Sequence, residues 1–278
     1  MKRLIVNADD FNTDGERSQG ILTAIRQGIV TSASVLTNLE GTEERRIALE
    51  DLAASGAGMG VHLNLTKGRP LCAHTTSLTM QGGCFFSKPA AWRRALARAY
   101  DPREAEQEFA AQIQALFAAG FTPDHIDGNN HLHVFPGLAG VAAAAAGSFG
   151  IRRIRLPLEP LFWSLRRPGR SVIKKCFISL LSLRAEKIFR RAGLCFPERC
   201  AGLHAPDPAE EKSLVDFLNR LPCGTTELMC HPGYASQASA YSTVDREKEL
   251  AVLTSAAARA SVADNRISLI SFGDMSCA

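Results

Sequence analysis

The stretch Arg3-Leu4-Ile5-Val6-Asn7-Ala8-Asp9-Asp10-Phe11 decides the fold, because an apolar run breaks there into two adjacent carboxylates. A short apolar run reads as a strand covered on both faces, as in a parallel sheet between layers. Carboxylates at the end of a buried strand need a partner or a ligand. The pattern returns along the chain: strands are expected near 3–7, 31–36, 58–65, 123–130, 152–156, 225–230 and 267–271, with a weaker one near 201–204. Helical periodicity fills 15–27, 43–54, 103–119, 137–147, 209–220 and 245–262, several of them opened by Asp, Thr or a Pro-containing start. Strands alternating with helices predict an α/β protein. The expectation is one domain over 1–278, a (β/α) barrel of seven or eight largely parallel strands, distorted but TIM-like. A Gly/Thr/Ser-rich loop at 67–88 and a basic, amphipathic helical insertion at 158–200 depart from strict alternation.

The rest of the chain is ordinary for a globular protein: 278 residues, 46% hydrophobic and 22% charged, which excludes disordered and fibrous classes. Its eight cysteines contain no C-x-x-C pair, so neither a zinc ribbon nor a thioredoxin-type motif is available, and all are expected as reduced thiols. The first apolar run is too short for a signal peptide and no run reaches membrane-spanning length, so a cytoplasmic protein is expected. Charge is unevenly spread. Residues 158–200 carry ten Lys/Arg against three Glu, a balance of +7 in a chain of net charge +4, leaving −3 for the remainder.

Chemistry-bearing residues gather where strands should end, and in a (β/α) barrel those ends share one face. Asp9 and Asp10 supply one carboxylate to hold a cation and another, pointing elsewhere, to act as base toward bound water. Period-two alternation in Gly60–Thr66 turns His62, Asn64 and Thr66 one way. In His125-Ile-Asp-Gly-Asn-Asn-His-Leu-His133, extended geometry puts His125, Asp127, Asn129, His131 and His133 on one side. Imidazole and carboxylate suit zinc or another transition ion, while carboxylate and amide oxygens also admit magnesium. His231, in Cys-His-Pro-Gly, can protonate a leaving amine. Arg155 can orient a carboxylate base and keep it ionised. Taken singly, each residue also has a plain structural role: a helix cap, a hydrogen-bonded core histidine, a turn histidine, a surface arginine.

In order along the chain, Asn7–Phe11, Gly60–Thr66, His125–Pro136, Arg155 and Glu227–Pro232 resemble the YdjC-like carbohydrate deacetylases, the family of chitooligosaccharide deacetylase. Arg155-Leu-Pro-Leu-Glu-Pro and Leu221-Pro-Cys-Gly-Thr-Thr-Glu-Leu-Met-Cys-His-Pro are most similar to the subgroup associated with hopanoid biosynthesis (HpnK), whose inferred substrate is an N-acetylglucosaminyl hopanoid. The resemblance implies a hydrolase that removes an N-acetyl group from an N-acetylglucosaminyl, lipid-linked sugar by way of a metal-activated water. Motif by motif it implies Asp9 as general base, His231 as general acid, Arg155 as the partner of the base, and Asp10 and His62 as ligands of a zinc or magnesium ion. The family's third ligand, the middle histidine of its H-x-D-S/G-H-x-H-x-H block, stands here as Asn129. Asn129 is expected to coordinate through its amide oxygen, with His131 or His133 as substitutes. Asp127, His131, His133 and Asn64 are expected against the substrate or behind the ligands.

The expected partner is an N-acetylated sugar or glycolipid. In the basic insertion, Phe162, Trp163, Ile173, Phe177, Ile178, Leu180, Leu181 and Leu183 are interleaved with Arg and Lys, as in segments that lie on anionic membranes. That reading adds peripheral contact with the inner face of the membrane; a solvated basic face on a barrel-covering helix is the alternative. The basic segment holds no nucleic-acid motif and the remaining chain is acidic, so no nucleic-acid partner is expected. The oligomeric state is open, a homodimer being one option. Two rivals stand beside the deacetylase: a non-catalytic glycan or glycolipid binding protein with a weakened metal site, and a sugar phosphatase or amidase using the same ion.

Overall fold

The computed structural model describes residues 1–39, 42–160, 170–203, 205–207, 209–239 and 241–277, and within 170–175 only the side chain of Ile173. Phe162 and Trp163 of the expected membrane segment lie outside the described residues. Seven strands, β1 (Lys2–Phe11), β2 (Ser32–Val35), β3 (Gly58–Leu63), β4 (His125–Gly128), β5 (Arg199–Ala201), β6 (Gly224–Cys230) and β7 (Ile267–Leu269), form one parallel sheet. Its order is β4-β3-β2-β1-β6-β5. β6 takes one edge of β1 along Lys2–Ala8, so β7 and β2 divide the other edge between its first and second halves. The helices are α1 (Gly15–Gln27), α2 (Glu43–Ala54), α3 (Lys88–Leu96), α4 (Pro102–Ala118), α5 (Leu138–Ser148), α6 (Arg170–Arg191), α7 (Glu211–Asn219), α8 (Val244–Leu253) and α9 (Ala256–Asp264).

Alternation along β1 sets the layers. Leu4, Val6 and Ala8 are buried in the main core, which also holds Ile21 and Leu22 of α1, whereas Ile5 belongs to a small separate cluster with Phe272 and Met275. Successive side chains point to opposite faces, so Asn7 and Asp9 follow Ile5 onto the inner face. Parallel register carries that face sideways: Ser32 pairs with Asn7, and His62 lies beside Asp127. The inner face is thus an apolar plug at one end and a polar cluster toward the strand C-termini. Two close approaches require glycine. A Cβ on Gly60 would stand 2.3 Å from the ring of its neighbour His125, which stacks on Phe272 at 4.0 Å between centroids. A Cβ on Gly20 would stand 2.4 Å from Gly233, so α1 seats directly on the turn after β6.

The parallel α/β reading holds, and the closed barrel does not: the ladders make an open, curled sheet, and among the described residues the gap between β4 and β5 is crossed by the single bridges Ile126–Ile154 and Arg153–Cys195 and by a hydrogen bond from the Cys200 N–H of β5 to the Leu158 carbonyl. The strand expected at 152–156 is reduced to those bridges, because Pro157 ends the donor series immediately after it. The strand expected at 123–130 stops at Gly128, and Asn129–Val134 forms a 3₁₀ turn. The helix expected over 245–262 divides where the Ser255 hydroxyl accepts from the backbone of Ala258 and starts α9. The loop at 67–88 gives way to α3, which the sequence reading omits. Cys195 and Cys277 are joined in a disulfide, Cα–Cα 5.5 Å, correcting the expectation of eight reduced thiols; the other six are free. No helix among the described residues is long and apolar enough to cross a membrane.

Candidate active site

In a regular strand Asp9 and Asp10 would face opposite sides. The β1–β2 register slips between Ala8 and Phe11, and Asp10 takes the left-handed conformation (φ 69°), as does Asn12 (φ 76°). This bulge turns both carboxylates toward the inner face, where the sequence reading had the two pointing apart.

Asp9 meets Arg155, the fully buried centre of the site. Arg155 Nη1 and Nη2 donate to the two oxygens of Asp9 at 2.7 and 2.6 Å, Nη1 also lies 2.7 Å from Asp127 Oδ2, and Nε donates to Glu227 Oε1 at 2.7 Å. One guanidinium therefore ties three carboxyl groups from β1, β4 and β6. Asn7 and Ser34 extend the network: Asn7 Nδ2 donates to Asp9 Oδ1 and Ser34 Oγ, and the Ser34 hydroxyl donates to Asp127 Oδ2. Burial raises the Asp9 pKa despite Arg155, and raises that of Glu227 to about 7. For Asp127, burial is outweighed by Arg155 and His62, and its pKa falls well below the usual carboxylate range.

His62 and Asp127 face each other across β3 and β4, with Nδ1–H donating to Asp127 Oδ1 at 2.7 Å. This leaves His62 Nε2 toward Asp10, 3.8 Å from its Oδ1. Burial lowers the His62 pKa, but Asp127, Asp9 and Asp10 together raise it above the ordinary value. Asp10 Oδ1 also accepts from Lys67 Nζ at 2.8 Å and from Asn129 Nδ2 at 3.0 Å. Its pKa lies far below normal, since Lys67, His62 and His231 overcome the burial that would raise it. Among the described residues, Asp9, His62 and Asp127 bring three ligand atoms within 4.8 Å of one another. That trio is internally satisfied, because Arg155 holds Asp9 and His62 donates to Asp127. The pair that fits a divalent ion is His62 Nε2 with Asp10: an imidazole nitrogen fixed by a carboxylate behind it is the usual support of a metal-binding histidine. Asn129 is less suited as it stands, with its oxygen accepting from Thr66 Oγ1 and Asn130 Nδ2, both at 2.6 Å, and its amide N–H given to Asp10.

His231 Nε2 lies 3.8 Å from Asp9 Oδ2. Its backbone is clamped: the N–H donates to Glu249 Oε1 at 2.7 Å, and Arg17, buried within α1, donates to its carbonyl at 3.4 Å. Burial first, then Arg246, Arg17 and Arg155, holds His231 well below the ordinary histidine pKa.

Other expected site residues are placed differently. His125 and Asp127 do share a side, both reaching Ser34. Beyond Gly128, left-handed Asn130 (φ 54°) and His131 (φ 61°) break the alternation. His131 is buried in that turn, and His133 turns to Arg155, its Nε2 3.0 Å from the Arg155 carbonyl, with its ring parallel to Phe189 of α6. Asn64 does not enter the site; its side-chain oxygen accepts from the N–H groups of Thr66 and Lys67 at 2.8 and 3.0 Å and builds the turn that delivers both. Glu227, Ser34, Arg17, Glu249 and Lys67 are absent from the sequence-level site, and Asn7 stands there only as a strand-end polar residue with no role. Glu227 is signalled by a lone charge inside an apolar strand, and Asn7 by its spacing of two from Asp9. For Lys67 the sequence carries no signal.

The YdjC-like protein family model matches residues 3–264, and the chain belongs to that family. It is 34% identical over 299 aligned positions to a carbohydrate deacetylase of Mus musculus, covering 98% of this chain and 94% of that one. It is 31% identical to a chitooligosaccharide deacetylase of Escherichia fergusonii, covering 98% of each. In fold it matches an Enterococcus faecalis V583 protein assigned to cellobiose-phosphate cleavage, with TM-score 0.78, 24% identity, and 98% and 97% of the two chains covered. The protein is thereby an enzyme of the hydrolase class that these deacetylases represent.

Proposed function

We propose that the protein is a metal-dependent carbohydrate N-deacetylase that removes the acetyl group from an N-acetylglucosaminyl substrate carried on a lipid, as in the hopanoid-associated subgroup. The observation that carries the chemistry is the juxtaposition of Arg155-held Asp9 with His231 Nε2 at 3.8 Å and the Asp10–His62 pair alongside. Asp10 and His62 would hold a zinc or magnesium ion, joined by Asn129 if its amide turns over to present oxygen. When bound, such an ion lowers the pKa of water and polarises the acetamide carbonyl.

Asp9 takes the proton of the attacking water, and burial, which raises its pKa, makes it a stronger base than an exposed carboxylate. Arg155 fixes the direction of that carboxylate. Water oxygen bonds to the carbonyl carbon, and the C–N bond then breaks with its electron pair going to nitrogen. That nitrogen must be protonated to leave. His231 rests neutral, so the proton it delivers enters during the reaction, and Asp9 is the neighbouring group that has just gained one. The products are acetate and a free amino sugar.

The lipid part of the proposal draws on α6. Ile173, Leu180 and Leu183 are 75%, 63% and 49% exposed, with Arg184, Lys187 and Arg191 exposed on the following turns. Apolar and basic groups on one helix face suit an anionic bilayer surface. The cytoplasmic leaflet is the one that carries anionic lipids, so we place the reaction on that side. The test is acetate release from an N-acetylglucosaminyl lipid and from a soluble chitooligosaccharide, with protein as purified, after chelation, and after metal is restored. Chelator-sensitive release from the lipid alone is expected. No release with any metal would transfer the assignment to a glycan-binding protein on a deacetylase scaffold.

A further inference from the structure

Asp10 is oriented toward His62, yet its Oδ1 already takes a full positive charge from this chain, the Lys67 ammonium at 2.8 Å. Lys67 is not a loose surface group. Its side chain is 15% exposed, and its nitrogen lies 4.6 Å from the centroid of the Tyr241 ring. The backbone is pinned at both ends: its N–H donates to Asn64 Oδ1 at 3.0 Å, and its carbonyl accepts from Asn38 and Asn64 side-chain amides at 2.9 and 2.8 Å. Asn129 adds an N–H to the same Asp10 oxygen rather than a lone pair to the space beside it.

We propose that Lys67 is the resident cation of the Asp10 position, and that a divalent ion entering between Asp10 and His62 must displace its ammonium from Asp10 Oδ1. The inference rests on the deacetylase reading for where the ion binds. Two cations cannot share one carboxylate oxygen without repulsion. A unit and a double positive charge about 4 Å apart disfavour each other by a factor on the order of thirty, even at the dielectric constant of water. Lys67 therefore lowers metal affinity below what its Asp, His and Asn neighbours would confer. The Tyr241 ring gives the displaced ammonium a face to rest on.

Isothermal titration of chelator-stripped protein with Zn²⁺, and separately with Mg²⁺, tests this without reference to turnover. Lys67→Met and Lys67→Gln are expected to bind metal at least about tenfold more tightly than the parent, whereas Lys67→Arg, which keeps the charge, stays near the parent. The proposal is overturned if Lys67→Met and Lys67→Gln stay within about twofold of the parent, if none binds detectably, or if Lys67→Arg gains as much as Lys67→Met. Acetate release is scored separately: tightened metal binding without release removes the deacetylase reading and leaves Lys67's role standing, while release with unchanged affinity does the reverse.

Discussion

Replacing Arg155 with methionine keeps the unbranched stem of the side chain and removes every donor. Asp9, Asp127 and Glu227 then lose a shared partner that reaches them at 2.6–2.7 Å, in a place where none of their side chains is more than 3% exposed. Breaking one buried ion pair costs about 3–5 kcal/mol. Three carboxyls depend on this guanidinium, which pushes the cost to the upper part of that range at pH 7.5. Protonation limits it, because burial already lifts the pKa values of Asp9 and Glu227. In the variant those values rise further above their unfolded ones, so the penalty appears above the unfolded pKa and grows with pH. Urea unfolding followed by tryptophan fluorescence should give a loss of about 4 kcal/mol at pH 7.5 and roughly half that at pH 5, with Arg155→Lys in between. A loss below about 1 kcal/mol at both pH values, or one that does not shrink on acidification, would show that the carboxyl cluster is not held by Arg155.

Asp9→Asn should lower turnover by about 10²–10⁴-fold while metal affinity stays unchanged, and His62→Ala should weaken both; equal metal loss in the two variants would reverse their assigned roles. His133 is held neutral by burial, with a pKa of about 4 against 6.5. The unfolded chain therefore binds more protons between those values, so this group removes about 3 kcal/mol of stability as pH falls from 6.5 to 4, and unfolding curves of His133→Gln should lack that component. Leu180→Asp should abolish sedimentation with anionic vesicles, neutral vesicles binding neither protein; a parent protein that ignores anionic vesicles ends the membrane proposal.

How much of this was legible depends on whether a feature is local. The starts of α2 after Thr42 and of α4 after Asp101 follow from capping chemistry and fall within a residue of expectation, while the strand expected at 3–7 follows from its apolar run but extends four residues further, to Phe11. Asp9, His62, Asp127, Arg155 and His231 are legible because polar groups at the ends of buried strands are costly without a purpose. What escaped depends on backbone conformations that residue type does not announce. Asp10 joins Asp9 only through a left-handed residue in a bulge, and Asn129 through His133 leave one side only because Asn130 and His131 also have positive φ. Helices and strands that need only their own periodicity are readable; a side chain aimed by a turn, such as Lys67 by the Asn64 cap, is not.

The same distinction explains why the barrel expectation failed while the polar residues expected at the strand ends still gather on one face. Strand count says nothing about closure, which depends on pairing at the two outer edges, and here residues 152–156 offer only single bridges before Pro157. Yet those residues carry Arg155, whose side chain hydrogen-bonds inward to β1 and β6 and pairs with Asp127 of β4. The backbone on that side of the sheet is weakly laddered, and the polar centre supplies the long-range ties that a continuous strand would otherwise make. Asp9, the base in the proposed mechanism, and the structural closure of the inner face therefore share one cation. That coupling predicts an order of effects: charge-removing substitutions at Asp9 should damage chemistry more than stability, because Arg155 keeps two other carboxyl partners, whereas substitutions at Arg155 should damage both together.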